Sequence, residues 1–316
     1  MHPDLAFSDP KQHSMAHLDA LASALERGRF DLREALWTAT HLAFNGMPSA
    51  RSVIRSLQAK TDHADASKFF DKLLNVCDYA DRLESFHAIR RDPILFRKLY
   101  DLHGSLFIKG STAGQKLVVV FTTMFNNFGI SNAILLAILK KFGVSVLLLR
   151  DCTRSNYLGG ASGFGGDLDE LSSKIAAVAR QQSIEQIYLM GYSSGGYASF
   201  HASMHIACAG HLAFSSPVDF SPDTKLPTDW FIKKELRTKF DPRYLLDLAQ
   251  VLPNVPARRR LVVGSSSTRD IAHARHVASV AGLEVIEIAD STHDTPQALL
   301  ARGEFEDHIE WLLGDA

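Results

Sequence analysis

The first hundred residues place apolar side chains three and four positions apart, which is the spacing of amphipathic α-helices. The pattern recurs in HLDALASALERGRF, REALWTATHLAFNG, RSVIRSLQAK and ASKFFDKLLNVCDYADRL. Breakers separate these stretches, including Asn45 and Gly46 followed by Pro48. We therefore predict an all-helical N-terminal region over residues 1–100, with three to five helices from about residue 14 onward and no strand.

From residue 101 to residue 316, short apolar runs alternate with amphipathic stretches. The runs are SLFIKG, KLVVVFTT, VSVLLLRD, EQIYLMG, HLAFSS, RRRLVVGSS and LEVIEIAD. Continuous apolar runs are typical of strands buried on both faces of a parallel sheet, and their alternation with helices indicates an α/β fold. We predict a mostly parallel sheet with helices on both faces. Residues 217–258 interrupt this rhythm with DWFIKKELRTKF and PRYLLDLAQVL, which predict a helical insert.

The composition excludes several classes of function. The chain has 316 residues, of which 46% are hydrophobic and 22% charged, as in folded globular proteins. Because 34 Lys and Arg residues balance 35 Asp and Glu residues, no global charge attracts nucleic acid or anionic lipid. The start of the chain lacks a signal-peptide pattern and no apolar run could span a bilayer, so we expect a cytoplasmic protein. Three widely spaced cysteines predict free thiols rather than disulfides.

The segment IYLMGYSSGGYASF contains the pattern G-x-S-x-G at Gly191–Gly195, between a predicted strand and a predicted helix. In that context the backbone turns sharply and leaves the side chain of Ser193 exposed. Small residues two positions before and two positions after the serine let the neighbouring backbone segments approach closely. The adjacent helix N-terminus favours negative charge. Ser193 is therefore the candidate nucleophile.

A serine nucleophile needs a base and an acid that orients the base. Asp270 follows the strand RRRLVVG, and His293 follows the strand LEVIEIAD. Both positions lie at the carboxyl ends of predicted parallel strands, where open α/β sheets gather their active sites. We predict a triad of Ser193, Asp270 and His293. Asp219, which follows the strand HLAFSS, is the alternative acid.

Other histidines fit the role of base less well. His273 and His276 fall within the helix after Asp270 and are expected on its surface. His201 and His205 are four residues apart, a spacing that can bind a metal ion, but HASMH lacks the glutamate of H-E-x-x-H. We predict no metal site.

Two backbone N–H groups are needed to hold the oxyanion of a tetrahedral intermediate. Ser194, directly after the nucleophile, supplies one candidate. The loop after the strand KLVVVF supplies the other, at Met124 or Thr123. Apolar side chains near these positions are candidates for the wall of an acyl pocket, namely Tyr192, Phe125, and Trp230 with its neighbour Phe231.

Together, GYSSGG, RDIAHA and STHDTP resemble the α/β-hydrolase superfamily over about residues 100–316. The resemblance implies an esterase-like serine hydrolase in which Ser193 is the nucleophile, His293 the general base and acid, and Asp270 the orienting acid. It implies cleavage of a small-molecule carboxylic ester or thioester through a covalent acyl-enzyme, without a cofactor. Two features depart from the family pattern. Phe121-Thr122-Thr123 replaces the usual His-Gly oxyanion segment, and Asp270 lies a few residues further from its strand.

Two other classes of function remain open from the sequence. The same triad could act as an acyltransferase or a lyase, because the motif does not encode which acceptor the pocket admits. The chain could also be a non-catalytic binding or scaffold protein. The helices of residues 1–100 could cap the active site, form a homodimer contact or bind a protein partner.

Overall fold

The computed structural model describes residues 32–44, 46–61, 64–101, 104–111, 115–151, 153–252 and 257–314. Within these ranges seven strands form one sheet: β1 (Leu106–Ile108), β2 (Lys116–Phe121), β3 (Ser145–Leu149), β4 (Gln186–Tyr192), β5 (Gly210–Phe214), β6 (Arg258–Gly264) and β7 (Leu283–Ile288). Their order is β1-β3-β2-β4-β5-β6-β7. β1 is antiparallel to β3, and every other pair of neighbours is parallel. The predicted mostly parallel sheet is confirmed, and each strand coincides with one of the seven apolar runs.

Thirteen α-helices accompany the sheet within the described residues. They are α1 (Leu32–Phe44), α2 (Ala50–Gln58), α3 (Ala64–Arg82), α4 (Glu84–Arg91), α5 (Pro93–Tyr100), α6 (Asn132–Lys141), α7 (Leu168–Gln181), α8 (Ser194–His205), α9 (Lys234–Arg237), α10 (Leu248–Val251), α11 (Thr268–Val277), α12 (Thr295–Arg302) and α13 (Phe305–Leu313). The helical character of the N-terminal region agrees with the prediction. The stretch HLDALASALERGRF lies outside the described residues.

Helices cover both faces of the sheet because successive strand residues point to opposite sides. On one face, Val118 and Val120 of β2 pack with α6, α12, α13 and the N-terminal helices in one apolar cluster. On the other face, Leu117 and Val119 pack with α7, α8, α11 and the insert between β5 and β6 in a second cluster. The alternation along β2 thus divides the apolar interior into two layers.

The N-terminal helices share the first of these layers with the sheet. Phe86 of α4 is fully buried within the cluster that also contains β2 and α6. At the end of β3, the buried guanidinium of Arg150 donates hydrogen bonds to the carbonyls of Lys98 (2.5 Å) and Gly104 (2.8 Å). These contacts join α5 and the residues after it to the end of β3. A role for these helices as cap, dimer contact or partner contact stays a prediction.

The insert between β5 and β6 contains shorter helices than the two that the sequence predicted. PRYLLDLAQVL forms a 3-10 helix over Pro242–Tyr244 and then the four-residue α10. The break falls between them because the side chain of Asp247 accepts the N–H of Ala249 at 3.0 Å and starts a new helix. The insert packs on α8, where the hydroxyl of Tyr197 donates to the carbonyl of Tyr244 at 2.7 Å.

Two further expectations concern membranes and thiols. None of the described helices is both long and apolar enough to cross a membrane. Cys77 and Cys208 are free thiols, as the wide spacing of the cysteines predicted.

Because α1–α5 and the sheet share one apolar layer, we expect the chain to unfold as one cooperative unit. Phe86→Ala should lower the free energy of unfolding by about 3–5 kcal/mol, since it leaves a cavity in that layer. Ile94→Ala, at a side chain that is 60% exposed, is the control and should change it by less than about 0.5 kcal/mol. Chemical denaturation followed by circular dichroism measures both. Two separate transitions, with only one of them shifted by Phe86→Ala, would contradict a shared core.

Candidate active site

Ser193 lies in a sharp turn between β4 and α8. Its backbone has φ 54° and ψ −122°, a left-handed conformation that is costly for a residue with a side chain. The turn fits only because its neighbours are small: a Cβ on Gly191 would clash with Ser199 and Gly195, and a Cβ on Gly195 would clash with the carbonyls of Phe121 and Thr122. The N–H of Ser193 donates to the carbonyl of Phe214 at 2.9 Å, which fixes the turn to β5. The predicted turn therefore has a specific steric cause.

A continuous chain of hydrogen bonds joins three of the predicted site residues. Nε2 of His293 lies 2.9 Å from Oγ of Ser193. Nδ1 of His293 lies 2.9 and 3.0 Å from the two carboxylate oxygens of Asp270. In this arrangement Nδ1 carries the proton that the carboxylate accepts, which leaves Nε2 free to accept the proton of the serine hydroxyl.

The loops that carry Asp270 and His293 are joined to each other. The N–H of Ser266, after β6, donates to the carbonyl of Ser291, after β7, at 2.9 Å. The hydroxyl of Ser265 accepts the N–H of Asp290 at 3.1 Å. Since β6 and β7 are parallel neighbours, their carboxyl ends emerge together and these bonds fix the distance between acid and base.

The carboxylate of Asp270 is fully buried, at 0% exposure, yet it is held in its ionised form. Burial alone would raise its pKa, but His293 and then Arg269 and Ser267 oppose that effect, and the pKa is lowered overall. Nε of Arg269 lies 3.4 Å from Oδ1 of Asp270. A negative charge facing Nδ1 stabilises the imidazolium that would form when His293 accepts a proton.

A mostly parallel sheet with an antiparallel edge strand, helices on both faces and a left-handed serine in the turn after its central strand is the arrangement of the α/β hydrolases. The chain has the α/β-hydrolase fold. The strand order and the turn at Ser193 carry this assignment. The resemblance noted in GYSSGG, RDIAHA and STHDTP agrees with it.

No protein-family model matches the sequence, and no curated protein matches it. Among solved structures, a lipase-esterase related protein from Clostridium acetobutylicum is 15% identical; the match covers 67% of this chain and 100% of that one, with a TM-score of 0.46. An α/β serine hydrolase homologue from Coxiella burnetii is 16% identical, over 63% of this chain and 90% of that one, with a TM-score of 0.42. MenH from S. aureus is 13% identical, over 66% and 97%, with a TM-score of 0.43. At these identities and scores the matches specify neither a family nor a substrate for this chain.

The candidate oxyanion donors differ in what their N–H groups already bind. The N–H of Ser194 is the first amide of α8 and has no acceptor among the described residues. The N–H of Met124 donates to the hydroxyl of Ser194 at 2.9 Å. The N–H of Thr123 donates to the carbonyl of Asn127 at 2.8 Å and closes a turn. Thr123 is therefore not placed as a donor, contrary to the prediction, because its own loop uses that amide.

Tyr192 supports the histidine loop instead of lining an open pocket. Its side chain is buried, and its hydroxyl donates to Oδ1 of Asp294 at 3.1 Å. Burial and then the charge of Asp294 raise the pKa of this phenol well above its ordinary value, so it remains a donor. Its ring centroid lies 5.6 Å from that of His293. Tyr192 therefore does not form the predicted pocket wall, because its side chain is buried in the apolar core.

Trp230 and Phe231, from the insert, both lie against His293, but only Trp230 is exposed to solvent. The ring centroid of Trp230 is 4.9 Å from that of His293 and its side chain is 49% exposed, whereas Phe231 is buried with its centroid at 5.9 Å. The guanidinium of Arg269 stacks on Trp230 at 3.7 Å. Phe125 follows Met124 and is half-buried. Trp230 and Phe125 thus occupy positions suited to a pocket rim.

Neither His273 nor Asp219 is a hydrogen-bond partner of the His293 ring, whose partners are Asp270 and Ser193. His273 is fully buried with its ring centroid 5.7 Å from that of Phe231, so the prediction that it faces solvent is wrong. The insert covers this face of α11, which its own sequence could not reveal. Asp219 lies with Asp247 and His276, where its Oδ1 accepts the N–H of Ser221, and not at the imidazole of His293.

Two groups of side chains outside the triad could hold a metal ion by their donor types. They are Asp169 with His201 and His205, and Asp219 with Asp247 and His276; within each group the ligand atoms lie within 4.8 Å of one another. The first group borders a cleft of about 430 Å³. No triad residue lines that cleft, so it is separate from the candidate active site.

Substituting each candidate acid in turn by asparagine tests which of them is the partner of His293. Asp270→Asn should lower kcat for an ester by about 10³–10⁴-fold, because an amide cannot hold Nδ1 in the protonated tautomer with equal strength. Asp219→Asn makes the same chemical change at a buried carboxylate outside the triad and should alter kcat by less than about threefold. Thermal denaturation of both variants controls for folding. The reverse ranking would assign the acid to Asp219.

Proposed function

We propose that this protein is a serine hydrolase that cleaves a carboxylic ester or thioester through a covalent acyl-enzyme on Ser193. The observation that carries the proposal is the unbroken hydrogen-bond chain from Ser193 through His293 to the buried Asp270. A structural serine has no need of a left-handed backbone, a histidine at 2.9 Å and a carboxylate behind it. The combination supplies the nucleophile, the base and the orienting acid of acyl transfer.

In the first half of the proposed reaction, Oγ of Ser193 bonds to the ester carbonyl carbon while Nε2 of His293 takes the hydroxyl proton. The carbonyl π electrons move to oxygen and form an oxyanion near the N–H of Ser194. When the intermediate collapses, the bond to the alcohol or thiol breaks, and His293 returns the proton to that leaving group. Asp270 stays ionised throughout and stabilises the transient imidazolium.

In the second half, water replaces the departed alcohol or thiol. Nε2 of His293 takes a proton from the water as its oxygen bonds to the acyl carbon, and it returns the proton to Oγ of Ser193 as the acid leaves. The acid product is therefore released and free Ser193 is regenerated without a cofactor. An ester or thioester is favoured over an amide, because its leaving group needs less assistance by protonation.

The oxyanion hole proposed for both halves consists of the N–H groups of Ser194 and Met124. The amide of Ser194 points from the start of α8, where the helix dipole adds to the attraction. Met124 donates to the hydroxyl of Ser194 at 2.9 Å in the free protein. Its N–H therefore has to share or exchange that acceptor with the oxyanion when substrate binds.

Covalent labelling tests the proposal independently of the natural substrate. A fluorophosphonate probe should label the wild-type protein, and Ser193→Ala should abolish both labelling and turnover of 4-nitrophenyl acetate and butyrate. Ser173→Ala, at an exposed serine of α7, is the matched control and should retain both. Labelling is read by intact-protein mass spectrometry and turnover by absorbance.

The outcomes of this experiment separate the candidate functions. Wild-type labelling without turnover of any ester tested, neutral or anionic, would contradict hydrolysis and favour an acyltransferase that excludes water. A folded wild-type protein that is not labelled would contradict an activated serine altogether and would favour a binding or scaffold role.

A further inference from the structure

The loop that follows β3 is strained, although it contains no catalytic residue. Arg154, Asn156 and Tyr157 have φ values of 55°, 55° and 61°, so three residues out of four lie in the left-handed region. For a residue with a side chain this conformation costs on the order of 1 kcal/mol or more. Strain of this kind persists only where the surrounding structure holds it, and it concentrates at functional sites.

A buried carboxylate and a buried amide hold this loop. Asp151 is fully buried and accepts hydrogen bonds from the hydroxyl of Thr153 at 2.8 Å and from the N–H of Tyr157 at 3.1 Å. The side-chain amide of Asn156 donates to the carbonyl of Phe231 at 3.1 Å. Phe231 in turn lies against His293. The loop is thus fixed to the same insert that contacts the catalytic histidine.

The held loop places the guanidinium of Arg154 over the ring of Phe125, the residue after Met124. The side chain of Arg154 is exposed, and its guanidinium carbon lies 5.8 Å from the ring centroid of Phe125. Phe125 directly follows Met124, the candidate oxyanion donor. The ring supports the guanidinium while its N–H groups remain accessible to a ligand.

Arg154 forms no ion pair with any residue in the described ranges. Three carboxylates of the loops and the insert around His293 have partners of their own: Asp270 has His293, Asp294 has the Tyr192 hydroxyl, and Asp229 has Arg237 at 2.9 Å. Arg269 differs from Arg154, because it pairs with Asp270 and stacks on Trp230.

We propose that Arg154 recognises an anionic group, a carboxylate or a phosphate, on the ester that Ser193 attacks. This inference rests on the proposed function and names the class of substrate. A guanidinium binds such groups through two parallel N–H···O bonds, which gives both affinity and orientation. Because the guanidinium of Arg154 contacts Phe125 and not a triad residue, its contribution should appear mainly in KM.

Esters that differ in one anionic group measure this preference. On the acyl side, mono-4-nitrophenyl adipate is compared with 4-nitrophenyl hexanoate, which has the same six-carbon chain. On the alcohol side, 4-acetoxybenzoate and 4-acetoxyphenyl phosphate are each compared with the neutral 4-acetoxybenzamide. The kcat/KM of each ester, corrected for spontaneous hydrolysis, is determined for the wild type, Arg154→Gln and Arg154→Lys. The control is Arg180→Gln, which removes an equal charge from the last turn of α7. This turn precedes the start of β4, whereas Ser193 follows the end of that strand.

The wild type should favour the anionic ester by about tenfold or more in at least one comparison, and added salt should reduce this factor. Arg154→Gln should abolish the preference while it changes kcat/KM for the neutral esters by less than about twofold. Arg154→Lys should keep part of it, and Arg180→Gln all of it. If only the acyl-side or only the alcohol-side esters show the preference, that side of the substrate carries the anionic group. The two alcohol-side esters show whether a carboxylate or a phosphate is preferred.

Two results would overturn the inference while the serine hydrolase proposal stands. In one, the wild type hydrolyses the neutral ester at least as well as its anionic partner in every comparison. In the other, the anionic preference survives in Arg154→Gln. A wild-type protein that neither hydrolyses any ester nor reacts with the fluorophosphonate would instead remove the proposed function on which this inference depends.

Discussion

The left-handed backbone of Ser193 is the constraint on which the rest of the candidate site depends. The turn requires glycine at positions 191 and 195, because any side chain there would meet α8 or the end of β2. It also requires the parallel strands β4 and β5 to end side by side, so that the N–H of Ser193 finds the carbonyl of Phe214. The energy stored in this conformation is offset by the packing of two buried helical layers on the sheet. In return, one hydroxyl lies at the start of a helix and within reach of a histidine.

The parallel sheet also explains why distant residues meet. Asp270 and His293 are 23 positions apart, and His293 is 100 positions from Ser193. Each follows a strand, and neighbouring parallel strands deliver their carboxyl ends to one edge. Hydrogen bonds between the loops after β6 and β7 then fix the acid relative to the base. The strand boundaries alone therefore predict that these three residues meet. The sequence shows the boundaries clearly because buried parallel strands are continuous apolar runs, such as KLVVVF.

Other features could not be predicted from local patterns, for identifiable physical reasons. The amide of Thr123 is used by a turn whose closure depends on Asn127, and His273 is buried against Phe231, which the insert contributes. DWFIKKELRTKF reads as one helix but forms only the four-residue α9, since tertiary packing overrides helix propensity in the insert. Helix α12 did have a signal, Pro296 in its first turn, which could have located its start. The position of Arg154 follows from three left-handed residues and a buried carboxylate, for which no sequence pattern exists.

In the proposed acyl-enzyme on Ser193, the oxyanion would lie between the amides of Ser194 and Met124. A crystal structure of the protein after reaction with diisopropyl fluorophosphate measures this most directly. We expect a phosphorus–oxygen bond to Oγ of Ser193. We also expect a phosphoryl oxygen within about 3 Å of both N–H groups, with Met124 released at least in part from the hydroxyl of Ser194. An adduct on another residue, or a phosphoryl oxygen turned away from the start of α8, would contradict it.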